Sequence, residues 1–353
     1  MIQPKKAVIK MKDYSPPTAG RAKKLRLDFN ENTIGCSPKV IDALKKITSN
    51  NLAVYPEYGM FKKILKEYVG VSEEEIFISN GSDDGIKTII DTFMEKGEEI
   101  IIPSPTFAMF KFYASIVEAK ITEILYNEDL SFPTKKVLEL INKNTKIVVM
   151  VNPNNPTGTS IRKEDIIKIT KKAQENEAIV LIDEAYFEFY GESCIDLIFE
   201  YDNVFVTRTF SKAFGLAGLR LGYTISNKTN ISALAKEGSP YGVNTLALIA
   251  GEAALSDVEF VKNYANEILE NKKYVEKELE SMGLDTFPTS ANFILTKFGN
   301  KCDKVANSLK EKGILVRNRT KDPLLNGCIR ITIGTKEQCE QLLEELKLIL
   351  SKK

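Results

Sequence analysis

The 353-residue chain contains no histidine, which removes every Ser-His-Asp triad, Cys-His dyad, HExxH metal site and imidazole acid-base mechanism. Catalysis must therefore run on Lys, Asp, Glu, Tyr, Cys or a cofactor. Cysteine is scarce: Cys36, Cys194, Cys302, Cys328 and Cys339 are odd in number, widely spaced and never CxxC. Neither a zinc knuckle nor a disulfide framework is expected, and a reducing cytoplasm suits such thiols. An excess of either charge is missing too. Lys and Arg total 49 against 48 Asp and Glu, so no global field draws in nucleic acid or a membrane surface. The longest uncharged stretch, residues 147–161, is interrupted by Asn and Pro, and lysines break up the apolar residues at the start. No signal peptide or membrane span is expected. Finally, no Gly-Lys dipeptide occurs, which excludes a P-loop.

What is present is the composition of an ordinary globular protein, 43% hydrophobic and 27% charged, long enough for two cores. Short apolar runs at residues 76–79, 99–102, 146–151, 178–182, 203–207 and 223–226 alternate with longer charged, helix-like segments. That alternation predicts an α/β fold, a mainly parallel sheet covered by helices on both faces. From about Gly238 the texture changes to a long helix over 258–282, strands near 292–296, 314–317 and 328–333, helix 303–312 and a final helix from Lys336. This reads as a smaller α+β unit. We expect an arm over residues 1–35, where Pro16-Pro17 forbids a continuous helix, a large domain over 36–238 and a small one over 239–353.

In open α/β sheets ligands gather at the carboxyl ends of strands, so the residues leaving each run matter most. After 76–79 comes Asn80-Gly81-Ser82-Asp83-Asp84-Gly85, a turn into a helix whose free N–H groups suit a phosphate, although a plain capped turn needs no more. After 146–151 comes Asn152-Pro153-Asn154-Asn155-Pro156-Thr157-Gly158, where prolines fix the backbone around the asparagines. A carboxylate, Asp183, ends the next run and is followed by Glu184-Ala185-Tyr186. The run over 203–207 leads into RTFSKAFGLAGLR, residues 208–220, which places Lys212 among small and aromatic residues and Arg220 eight positions on. A lysine that condenses with an aldehyde, an aspartate for a ring nitrogen and an arginine for a phosphate are what pyridoxal phosphate requires, and none of these roles needs histidine. In residues 328–333 the isoleucines at 329, 331 and 333 share one strand face, which leaves Arg330 and Thr332 on the other.

The chain resembles the pyridoxal-phosphate-dependent aminotransferases of the aspartate aminotransferase fold type (fold type I), and within them the branch that acts on L-histidinol phosphate. The likeness is carried by LDFNEN at 27–32, SNGSDD at 79–84, SPTFAMF at 104–110, NPNNPTG at 152–158, DEAY at 183–186, RTFSKAFGLAGLRLGY at 208–223, ANFIL at 291–295, VRN at 316–318 and GCIRITIGT at 327–335. It implies a seven-stranded sheet between helices and a cofactor, pyridoxal 5'-phosphate, bound through Lys212, which later moves the substrate α-proton. Asp183 would meet the pyridinium nitrogen, Tyr186 and Asn155 the phenolic oxygen, and Phe107 the ring face. Gly81, Ser82, Asp83, Thr209, Ser211 and Arg220 would hold the phosphate. Tyr55 matches a position that reaches the neighbouring subunit's cofactor, which implies a homodimer. Arg317 and Arg330 would clamp the phosphate of histidinol phosphate and the carboxylates of glutamate, with Tyr14 near that phosphate. The implied reaction exchanges the amino group between L-histidinol phosphate and 2-oxoglutarate, a step of histidine biosynthesis. An aromatic-amino-acid aminotransferase or a threonine-phosphate decarboxylase of the same fold stays open, because specificity rests on a few pocket contacts. A non-catalytic, cofactor-sensing regulator is disfavoured by the balanced charge.

Overall fold

The computed structural model describes residues 2–11 and 19–351. Tyr14 and the Pro16-Pro17 pair lie outside them. Seven strands form the main sheet: β1 (Ile76–Ser79), β2 (Glu99–Ser104), β3 (Lys120–Leu125), β4 (Thr145–Val151), β5 (Ile179–Asp183), β6 (Val204–Thr209) and β7 (Gly222–Ile225). They lie in the order β1-β7-β6-β5-β4-β2-β3, and β7 alone runs antiparallel to its neighbours. Strands β2, β4, β5 and β6 are almost wholly buried, as continuous Val/Ile runs in a sheet covered on both sides must be. Their side chains alternate between two cores. Ile100, Ile147, Val149, Leu181 and Phe205 meet Ile86, Ile89 and Ile90 of helix Ser82–Phe93. On the opposite face Ile101, Val148, Val180, Ile182 and Val206 meet Ile166, Ile169 and Ala173 of helix Lys163–Gln174.

The six apolar runs match six of these strands, and β3 is the one they miss. It is an edge strand in which only Ile124 is buried, so its KITEIL sequence carries charge where a central strand would carry Val or Ile. A second sheet contains β8 (Asp285–Phe287), β9 (Phe293–Lys297), β10 (Arg317–Asn318) and β11 (Cys328–Thr332) in the order β10-β11-β9-β8, all antiparallel. The expected strand over 314–317 is divided. Ile314–Leu315 instead pairs in parallel with Leu25–Arg26, and only beyond Val316 does the chain join β11. The early residues thus dock between the sheets: Leu27 is fully buried, and Asp28 and Asn30 nearly so.

Where β5 ends, Asp183 stands opposite Thr207 of the adjacent β6. One residue further on, on the other face, buried Arg208 grips buried Glu184 through Nε at 2.9 Å and Nη2 at 2.8 Å. Ser193 and the Cys194 amide complete the carboxylate's partners, and the guanidinium lies over Phe187. Breaking such a pair strands an uncompensated buried charge, so Glu184→Ala should lower the unfolding free energy by about 3–5 kcal/mol. Replacing both partners with apolar residues should cost less than that single change. Urea unfolding of the single and double variants checks both statements, and equal or larger loss in the double variant contradicts the second.

Candidate functional site

Where β2, β4, β5 and β6 end, a cavity of about 430 Å³ opens between the main sheet, the early segment and the second sheet. Strand ends, not helices, supply its floor. Asp183 is the last residue of β5 and only 3% exposed. Thr207 Oγ1 donates to it at 3.2 Å, and it has no ion-pair partner among the described residues. Burial pushes this carboxyl up to about 7, against the lowering pull of Thr207. Lys212 follows β6 in the same cavity and donates to the backbone carbonyl of Phe29 at 2.9 Å. Burial, with the positive Arg330 adding to it, brings the Lys212 amine down to about 8. Tyr186, 2% exposed, completes the floor.

One end of the cavity is built for a phosphate-sized anion. Gly81 takes φ +82° before helix Ser82–Phe93, so the first N–H groups of that helix point outward without intrahelical partners. A Cβ on Gly81 would come 2.5 Å from Arg220 Nη2, and one on Gly222 of β7 would come 2.4 Å from the Ser82 nitrogen. Only glycines let the turn, the strand and the guanidinium meet. Arg220 itself has φ +56°, uncommon for a side-chain-bearing residue, and holds Ser211 Oγ and Asp83 Oδ2, each at 3.3 Å. Thr209 Oγ1 accepts from the Ser211 amide.

The other end is basic. Arg317 and Arg330 sit directly opposite each other on β10 and β11. Like charges so placed repel, and an anion between them relieves the conflict. Arg330 is 5% exposed, donates to Asn155 Oδ1 and the Asp28 carbonyl, and is held down to about 10 by burial, with Arg319 and Arg317 adding to the effect. Phe107 and Asn155 form the side wall. Asn152 and Asn154 instead brace the backbone, Asn152 accepting from the Ile161 amide and Asn154 donating to the Pro105 carbonyl in the loop after β2.

Ser82, Asp83, Phe107, Asn155, Asp183, Tyr186, Thr209, Ser211, Lys212, Arg220, Arg317 and Arg330 are thus brought to one cavity, with Gly81 just behind it. Tyr55 is not among its lining residues: it stands 73% exposed on the outer surface, stacked on Tyr241 with ring centroids 4.3 Å apart. Thr332 faces away from the isoleucines, as expected, but its hydroxyl is spent on Asn30. Sequence reasoning missed Phe29, Glu31, Arg319 and the Asp322 that Arg319 pairs with, all of which line the cavity. Arg319 was findable, since in an extended chain it shares a face with Arg317. A buried carboxylate without a cation, an amine of lowered pKa and an anion cradle at opposite sides of one cavity fit pyridoxal phosphate, which presents a ring N–H, an aldehyde and a phosphate.

Comparisons with known proteins agree with this geometry. Residues 22–346 match the family model described as aminotransferase class I and II. A histidinol-phosphate aminotransferase of Thermoanaerobacter sp. (strain X514) is 40% identical over 92% of this chain and 93% of its own. One of Clostridium novyi is 37% identical over 96% and 95%. Among solved structures, histidinol-phosphate aminotransferase from Sinorhizobium meliloti in complex with pyridoxal-5'-phosphate superposes with a TM-score of 0.90 over 99% of this chain and 98% of that one, at 23% identity. The architecture is the fold type I arrangement of these enzymes, and the chain belongs to the class I and II aminotransferase family.

Proposed function

We propose that the chain catalyses pyridoxal-phosphate-dependent transamination between L-histidinol phosphate and 2-oxoglutarate, giving imidazole-acetol phosphate and L-glutamate. The observation that carries the chemistry is the pairing of Lys212 with an uncompensated Asp183 in one buried cavity. The opposed Arg317 and Arg330 carry the substrate class, since planar guanidinium groups accept phosphate and carboxylate alike. Residues 36–238 then form the cofactor-holding unit, 239–353 the smaller one that supplies the arginines, and 1–35 the arm. Five free thiols suit a reducing compartment such as the cytoplasm, and no helix among the described residues is long and apolar enough to cross a membrane.

When bound, the cofactor supplies an aldehyde that takes up the substrate amine and a cationic ring that draws electrons from the bond broken beside it. Asp183 would hold the ring proton in place by accepting it in a charge-assisted hydrogen bond. Ser82 and Asp83 offer the backbone N–H groups of the helix start, Thr209 and Ser211 their hydroxyls and Arg220 its charge to the phosphate, while Gly81 makes room. Tyr186 and Asn155 would meet the ring oxygen, and Phe107 would cover the ring. Lys212 Nζ would be the group that moves the α-proton, and the burial and Arg330 that lower its pKa favour the neutral amine such a base needs.

The decisive assay supplies L-histidinol phosphate, phenylalanine or threonine phosphate with 2-oxoglutarate and measures glutamate. We expect histidinol phosphate to be used best; no glutamate from it would overturn the substrate reading. Borohydride treatment of the loaded protein should tag Lys212, and Lys212→Ala should abolish both tag and turnover.

Asp183 yields a pH test. Its folded pKa, about 7 without cofactor, lies above the unfolded carboxylate value, so the cofactor-free protein loses stability as pH rises from about 4 to about 7. Asp183→Asn lacks this cost. Its melting temperature without cofactor should exceed the wild type's at pH 8, and the gap should shrink toward pH 5; a gap independent of pH contradicts the assignment.

We further infer a homodimer in which Tyr55 reaches the partner's phosphate site, supported by its exposure and the cavity's lack of it. Mixing Lys212→Ala with Tyr55→Ala subunits should restore roughly a quarter of wild-type activity, because each hybrid dimer regains one intact site. No recovery would place Tyr55 outside the partner's site.

A further inference from the structure

The hydroxyl of Tyr186 can face the cavity as a donor or as an acceptor, and the structure contains the residue that decides. Asn30 is 1% exposed and adopts φ +55°, a left-handed conformation that asparagine tolerates better than most residues. All four of its polar groups are engaged. Its amide donates to Thr332 Oγ1 at 3.0 Å, its carbonyl accepts from Asn292 Nδ2 at 3.3 Å, its Oδ1 accepts from Thr332 Oγ1 at 3.0 Å, and its Nδ2 donates to Tyr186 Oη at 2.8 Å.

These bonds fix the direction of every proton. The Thr332 hydroxyl accepts from the Asn30 backbone, so its own proton goes to Oδ1. The side-chain amide is then oriented with its NH₂ toward Tyr186. An NH₂ group only donates, so Tyr186 Oη must accept there, which leaves its single proton for the cavity. The same hydrogen bond stabilises charge on the Tyr186 oxygen, opposing the rise that burial causes. Thr332 lies two residues beyond Arg330 on β11, and the Asp28 carbonyl two residues before Asn30 accepts from Arg330. One short segment therefore connects the basic end of the cavity to its floor.

We propose that Asn30 is a positioning residue that acts through Tyr186, setting its hydroxyl as a hydrogen-bond donor to the ring oxygen of the bound cofactor. This rests on the proposed cofactor reading. Asn30→Asp replaces the donor with an acceptor, so the Tyr186 proton turns away from the ring oxygen toward the carboxylate. The oxygen loses a donor, becomes more basic and holds the proton it shares with the Lys212 nitrogen to higher pH.

The test titrates the visible absorbance of the protein loaded with pyridoxal 5'-phosphate against pH, in wild type, Asn30→Asp, Tyr186→Phe and the double variant. We expect the midpoint to rise by about one pH unit in each single variant, the size of one hydrogen bond to a charged group, and by no more in the double variant than in Tyr186→Phe. An Asn30→Asp shift that persists in full on the Tyr186→Phe background overturns the proposal, as does no shift at all. Should Asn30→Asp fail to fold, Thr332→Val, close in shape, frees the amide to turn and should raise the midpoint only while Tyr186 is present; an equal rise with Phe at that position also overturns it. A wild-type protein that takes up no borohydride tag at Lys212 defeats the cofactor reading instead, and so separates the two failures.

Discussion

The site depends on the pleat of two neighbouring strands. Because side chains alternate across a sheet, Asp183 of β5 and its partner Thr207 of β6 share one face, on which Asp183 lines the cavity and takes a hydrogen bond from Thr207, and Glu184 and Arg208 take the opposite face. The buried ion pair on one side fixes the separation of the two chain exits on the other, and those exits carry Asp183, Tyr186, Thr209 and Lys212. A slip of β6 by one residue would exchange its faces, bringing Arg208 to the place that Thr207 holds beside Asp183.

Onto that floor the chain places two anion sites of different construction. Near the sheet, backbone N–H groups at a helix start share the work with Arg220, and glycines at 81 and 222 clear the space. Across the cavity the charge is all side chain, two arginines opposed on adjacent strands with a third beside them. Under the proposed function the first would hold the cofactor's phosphate and the second the anionic groups of the two substrates in turn.

Much of this was legible in the sequence, for a physical reason. The parallel strands are buried on both faces, so their apolar runs stand out, and the residues at their ends fall at the sheet edge whatever the details of packing. Lys212, Asp183 and Asn155 could be placed in that way. What escaped detection depended on partners far away in sequence. Strand β3 lacked an apolar run because it is an exposed edge in which only Ile124 is buried; the stretch over 314–317 was read as one strand because its division depends on pairing with Leu25–Arg26. Asn30 looked like one more polar residue in an arm, since nothing nearby reveals that Thr332, Asn292 and Tyr186 will surround it. Tyr55 was named through resemblance alone, and in the single chain it stands on the surface.

The docking of that early segment also bears on synthesis. Leu25 pairs with Ile314 and Asn30 bonds to Thr332, a separation of 302 residues. On the ribosome, residues 25–32 emerge early and wait, while the seven-stranded core can assemble from chain that follows within the next two hundred residues. The catalytic pocket closes only when residues 317–332 have been translated, so a nascent chain stopped before them would carry a finished sheet and an unfinished active centre.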